Sequence, residues 1–138
     1  MSLETVLIVD DEPVIVMLIA AALRKSGYIA LEAPDGAAAL EIAARHPGPI
    51  GLLLTDVRMP GLPGPELCRR LRQRRPEIRC LLMSGYPEGE AGGEAFLPKP
   101  FRIPDLLQRV REALGTAQGQ PAEPACSVRA AEPSSRRR

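Results

Sequence analysis

Residues 52–61 read Leu52-Leu53-Leu54-Thr55-Asp56-Val57-Arg58-Met59-Pro60-Gly61, and this stretch decides the fold. Three leucines and a threonine run together without polar alternation. That is the pattern of a strand covered on both faces, as in parallel sheets clothed by helices. The run stops on a carboxylate, and Met-Pro-Gly turns the chain away. An aspartate at the end of a buried strand is on display, because ligands of open α/β sheets sit just outside the carboxyl ends of the strands. The plainer alternative is an ordinary turn aspartate, frequent near Pro and Gly. The rest of the chain decides between the two.

The same grammar recurs on either side. Val6 to Val9 is a short β-branched strand that runs into Asp10-Asp11-Glu12-Pro13. A helix follows from about Glu12 to Ser26, stopped by Gly27 as a C′ residue. Tyr28 to Ala33 reads as a second strand, and Ala37 to Arg45 as an alanine-rich helix. The Asp56 strand, about Ile50 to Thr55, comes third. A helix over Pro65 to Arg74 leads to a fourth strand, Ile78 to Met83, which ends on Ser84-Gly85. Ala95-Phe96-Leu97 is a short fifth strand before Pro98-Lys99-Pro100. Residues 103, 106, 107, 110 and 114 are apolar in helical register and predict a last helix. Strands alternating with helices give βαβ units and a parallel sheet with right-handed crossovers.

The periodic pattern ends at Thr116. One domain is expected over residues 4–115, and a disordered tail over 116–138, rich in Pro and Ala and ending in three arginines. Of 138 residues none is Trp, so the core must be aliphatic. A net charge of +1 gives no bulk attraction to nucleic acid or membrane. Arg69, Arg70, Arg72, Arg74 and Arg75 read as a solvated helix face, so direct nucleic-acid binding is not expected. The longest apolar run, Val14 to Leu23, has 10 residues and is too short for a bilayer. No signal peptide is visible. The three cysteines, Cys68, Cys80 and Cys126, lack metal spacing and read as reduced thiols of a cytoplasmic protein.

In a parallel sheet all these strand ends lie on one edge. Asp10, Asp11 and Asp56, the hydroxyl of Ser84 and the ammonium of Lys99 therefore converge. Neighbouring carboxylates repel, and a hard divalent cation such as Mg²⁺, with its taste for oxygen ligands, relieves the repulsion. A lysine beside that cation suits an incoming anion, most simply a phosphoryl group. Each residue alone has a bland explanation as a cap, turn or surface charge. All of them together, each at its own strand end, do not.

With these residues in place, the chain resembles the receiver domain of two-component response regulators. The resemblance covers residues 4–115 and rests on Val6-Leu-Ile-Val-Asp-Asp-Glu12, Asp56-Val-Arg-Met-Pro-Gly61, Met83-Ser-Gly85 and Lys99-Pro100-Phe101. The variants present look like receivers of hybrid histidine kinases or stand-alone regulators. The resemblance implies a flavodoxin-like, doubly wound sheet of five parallel strands in the order 2-1-3-4-5. It implies that Asp56 is the phosphoacceptor, taking its phosphoryl group from a phosphohistidine on a histidine kinase or phosphotransfer protein. Asp10, Asp11, Asp56 and the main-chain carbonyl of Arg58 would hold Mg²⁺. Ser84 and Lys99 would bind the phosphoryl group, Ser84 and Phe96 would form the switch, and Lys99-Pro100 would be a cis peptide. Such a domain assists its own phosphorylation and dephosphorylation but is not a metabolic enzyme.

One departure stands out. Only 11 residues separate Ser84 from Phe96, with four glycines among them and no aliphatic side chain larger than Ala. A mean helix of about 11 residues plus its two connections does not fit there. The helix that the family places fourth is therefore expected to be shortened or missing. An alternative reading, an aspartate-nucleophile phosphatase of the haloacid dehalogenase type, resembles a strand ending Asp-x-Asp, and here the third position is Arg58. A receiver-like interaction domain that signals without phosphorylation would be expected to have lost Asp56, Lys99 or the acidic pair, and all are present.

The first helix is apolar almost all round. Counting back from Leu23, the inward stripe is Ile15, Leu18, Ile19, Ala22 and Leu23. Val14, Met17, Ala20 and Ala21 are left outside, beside Arg24. Val14 and Met17 are thus the expected docking centre for the phosphohistidine partner, or for a homodimer.

Overall fold

The computed structural model describes residues 4–85 and 95–115. Five strands, β1 (Thr5–Val9), β2 (Ile29–Ala33), β3 (Leu52–Asp56), β4 (Arg79–Ser84) and β5 (Ala95–Pro98), alternate with helices. The helices among the described residues are α1 (Pro13–Lys25), α2 (Gly36–Arg45), α3 (Gly64–Arg74) and α4 (Ile103–Gly115). The strands pair in parallel in the order β2-β1-β3-β4-β5, as expected. The expectations for the missing helix and for the tail fall on residues 86–94 and 116–138, outside the described residues.

Two aliphatic layers hold the sheet, and strand alternation sorts residues between them. Val6 and Ile8 of β1, Leu52 and Leu54 of β3, and Leu81 and Met83 of β4 face α1 and α4. Leu7, Val9, Leu53 and Cys80 face α2 and α3, where Ala39, Ala43, Leu67 and Leu71 meet them. Leu52, Leu53 and Leu54 have no exposed surface at all, as the opening run requires. Each such leucine contributes about 1.5–3 kcal/mol by burial. Of the stripe expected on α4, Leu106, Val110 and Leu114 are buried.

The rotation of α1 differs from the sequence expectation. Val16, Ile19, Ala20 and Leu23 are its buried residues. Leu18, expected inside, is 55% exposed, and Ala20, expected outside, is buried. In an all-apolar helix two stripes satisfy the same period, here 16-19-20-23 and 14-17-18-21. Arg24 is exposed and continues the outer stripe, as expected. Its guanidinium folds back to donate to the Ala30 carbonyl at 2.8 Å and pairs with Glu32 at 3.0 Å.

The cysteines also need correction. Cys68 of α3 and Cys80 of β4 form a disulfide, with Cα atoms 6.5 Å apart. Only the packing of α3 on β4 brings them together, and residue spacing alone does not show it. Cys126 lies outside the described residues.

Arg75 has a structural role that the arginine count hid. Its guanidinium donates to the carbonyls of Ala43, His46 and Gly48 at 2.8–2.9 Å, closing the carboxyl end of α2. Arg75→Ala would strand those carbonyls, and chemical denaturation should show a loss of about 1–3 kcal/mol. Arg69 and Arg70 instead clamp the exposed Glu66, whose carboxyl they pull down to about 2.

Candidate functional site at the carboxyl edge of the sheet

The parallel register brings the strand ends level. Val9 stands opposite Thr55, Asp56 opposite Met83, and Ser84 opposite Pro98. Asp10, one residue past β1, is almost wholly buried. One of its carboxylate oxygens accepts from the Glu12 amide at 3.0 Å, and the other from Lys99 Nζ at 3.1 Å. Lys99 Nζ also lies 3.5 Å from Asp56 Oδ1. Asp11 is exposed, and Glu12 rather than Asp11 sits at the N-cap of α1. Carboxylate oxygens of Asp10, Asp11 and Asp56 lie within 4.8 Å of one another.

Lys99 is delivered by a cis Lys99–Pro100 peptide, and its amide donates to the Ser84 carbonyl at 2.8 Å. That bond ties the end of β5 to the end of β4. Ser84 is buried. Phe96 is half-buried against Val57 and Leu82. Arg58 lies exposed on the turn after Asp56. Val14 and Met17 are each 59% exposed on α1, which starts directly beyond the acidic pair. Leu18 and Ala21 extend them into one exposed apolar stripe.

Burial pushes the Asp56 carboxyl above the ordinary range, against the pull of Lys99, and Asp10 and Asp11 add to the rise. Burial works against the Lys99 ammonium, but Asp10 and Asp56 outweigh it and hold the group charged. One lysine, paired with Asp10 and Asp56, thus stands in a cluster of three carboxylates. Oxygen-only donors carrying excess negative charge suit a hard cation such as Mg²⁺. The residues therefore fit the metal expected of them.

Two further residues fix the backbone at Asp56. Thr55 is fully buried, and its hydroxyl donates to the Asp56 carbonyl at 3.1 Å. Gly64, the first residue of α3, donates its amide to the Val57 carbonyl at 2.9 Å. A Cβ on Gly64 would stand 2.3 Å from the Asp56 carbonyl oxygen. The sequence signal for Gly64 was its place between two prolines, where a helix starts and no side chain is needed.

The family model described as response regulator receiver domain matches residues 6–111. The sensor kinase CckA of Brucella abortus is 38% identical over 117 residues, covering 80% of this chain and 12% of that protein. The response regulator MprA of Mycobacterium leprae is 36% identical over 116 residues, covering 79% of this chain and 50% of that protein. This chain thus spans half the length or less of these two curated relatives. Among solved structures, the receiver domain of the hybrid histidine kinase CckA superposes with a TM-score of 0.71 at 41% identity, over 80% of this chain and 98% of that one. A CheY-like receiver from Methanospirillum hungatei superposes with a TM-score of 0.77 at 27% identity, over 87% of this chain and all of that one.

Proposed function

Because the chain belongs to the response regulator receiver family, we propose that it is the phosphoacceptor of a two-component phosphorelay, with Asp56 as the acceptor. The observation that carries this reading is the Asp10–Asp11–Asp56 cluster with Lys99 bonded into it. Asp56 Oδ attacks the donor phosphorus, and the phosphoryl group passes from a phosphohistidine to the carboxylate as an acyl phosphate. Positioning and charge neutralisation do most of the work in such a transfer. Lys99, held charged, faces the incoming phosphoryl oxygens. Ser84 donates to one of them and, with Phe96, passes the change to the surface. Asp10, Asp11, Asp56 and the main-chain carbonyl of Arg58 would hold Mg²⁺, which when bound would supply charge neutralisation for the transfer. The domain assists its own phosphorylation and hydrolysis and is not a metabolic enzyme. No described helix is long and apolar enough to cross a membrane. A cytoplasmic site of action accords with a donor kinase that uses ATP.

The test is incubation with acetyl phosphate and Mg²⁺, followed by intact mass. One added phosphoryl group on Asp56 is expected, and no labelling when the metal is chelated beforehand. Label at another residue would overturn the assignment.

The α1 stripe is the proposed docking surface, with Val14 and Met17 at its centre and a homodimer as the competing use. Its exposed apolar run beside the acidic cluster supports this reading, since contiguous patches mark contact sites. Val14→Glu or Met17→Glu should slow transfer from a protein phosphodonor about tenfold, as for a modest hot spot. Labelling by acetyl phosphate should be unchanged. Equal slowing with both donors would refute docking.

A further inference from the structure

We infer that the Cys68–Cys80 disulfide is a thiol-exchangeable brace on the phosphoacceptor pocket, one that couples the redox state of the protein to its phosphorylation. The coupling rests on Asp56 as the phosphoacceptor. The bond itself rests on the structure.

Its placement is the argument. Cys68 lies one helical turn beyond Gly64, the residue whose backbone abuts the Asp56 carbonyl. Cys80 lies four residues before Ser84 on β4. Helix and strand are stiff over such distances. The bond therefore joins the two elements whose far ends bracket Asp56. Those ends are already coupled, since the Val57 amide donates to the Met83 carbonyl at 2.9 Å and the Gly64 amide to the Val57 carbonyl. Breaking the cross-link frees α3 to shift on β4, and Gly64 transmits any shift to the Asp56 backbone.

A route to the bond is also present. Cys68 is 1% exposed and Cys80 is 4% exposed. Cys80 lines an open cavity of about 600 Å³ together with Arg72, Arg79 and Glu77. The two arginines among its lining residues favour the approach of an anionic thiolate. The reductant is a small dithiol. Its first thiolate attacks Cys80 Sγ, the S–S bond breaks, and the electron pair leaves on Cys68 Sγ. The second thiolate of the dithiol then displaces Cys80. The donor becomes a disulfide, and its two protons end on the two cysteines.

The experiment compares the full chain before and after dithiothreitol. Alkylation under denaturing conditions and intact mass should give one adduct on the untreated protein, at Cys126, and three on the reduced protein. Three adducts on air-oxidised protein would overturn the brace. On reduction, hydrogen exchange at the Val57 and Lys99 amides should quicken about tenfold, because both lie in the braced backbone. Labelling by acetyl phosphate should slow about three- to tenfold, since small misplacements at a reacting centre are costly. Cys68→Ala/Cys80→Ala should label at the reduced rate and ignore dithiothreitol. Equal exchange in both redox states would refute the brace, and equal labelling would refute its coupling to the pocket. No label in either state would fail the phosphoacceptor reading, and the brace would still be judged by exchange alone.

Discussion

Asp56→Asn will abolish labelling by acetyl phosphate while leaving the protein at least as stable as before. The first half follows from chemistry, because an amide offers no carboxylate oxygen to form an acyl phosphate. The second half follows from electrostatics. Burial raises the Asp56 carboxyl, and Asp10 and Asp11 add to it, so the ionised form is disfavoured in the folded state despite Lys99. A carboxyl raised on folding favours the folded state below its unfolded value, and that advantage is lost as pH climbs through the raised folded value. At neutral pH the native protein therefore carries a penalty that the neutral amide relieves. The Tm gain of Asp56→Asn should be largest near neutrality. It should shrink as pH falls toward the ordinary aspartate range, about 3.9. Thermal melts across that window check the sign. A variant that is less stable at neutral pH, with a loss that grows with pH, would show that Lys99 outweighs burial.

Gly64→Ala should damage both the fold and the chemistry. The new Cβ would meet the Asp56 carbonyl oxygen at 2.3 Å and the Val57 Cα at 3.1 Å, and neither atom can swing aside as a side-chain tip would. Either the start of α3 lifts or the end of β3 retreats. Overpacking of this kind costs about 1–3 kcal/mol. A shift approaching 1 Å at the acceptor lowers the transfer rate by as much as about 100-fold. Labelling measured well below the variant's Tm separates the two effects. A variant that melts lower but labels at the wild-type rate would show that the helix absorbs the whole displacement.

What the sequence disclosed was the part written in residue type. Leu52-Leu53-Leu54 declared a doubly covered strand, and Asp10, Asp56, Ser84 and Lys99 declared their edge because chemistry sat at each strand end. What it concealed depended on three-dimensional neighbours. The face of α1 was ambiguous because Val, Ile, Met, Leu and Ala surround that helix, and two stripes satisfy the same period. Cys68 and Cys80 look unrelated until α3 lies on β4. Arg75 looks like one more surface charge until the end of α2 arrives beneath it. Gly64 is an absence, and an absence matters only once the Asp56 carbonyl occupies the space.

The edge opposite the acidic cluster has its own consequence. Glu4, just before β1, and Leu114, in the last turn of α4, line one cavity there, drawn together over Gly51. The two ends of the described fold thus leave side by side, a full strand length from Asp56. Polypeptide spliced on at either end starts far from the chemistry, so the fold is shaped as a cassette. The related segments make up 12% of the sensor kinase CckA and 50% of the response regulator MprA.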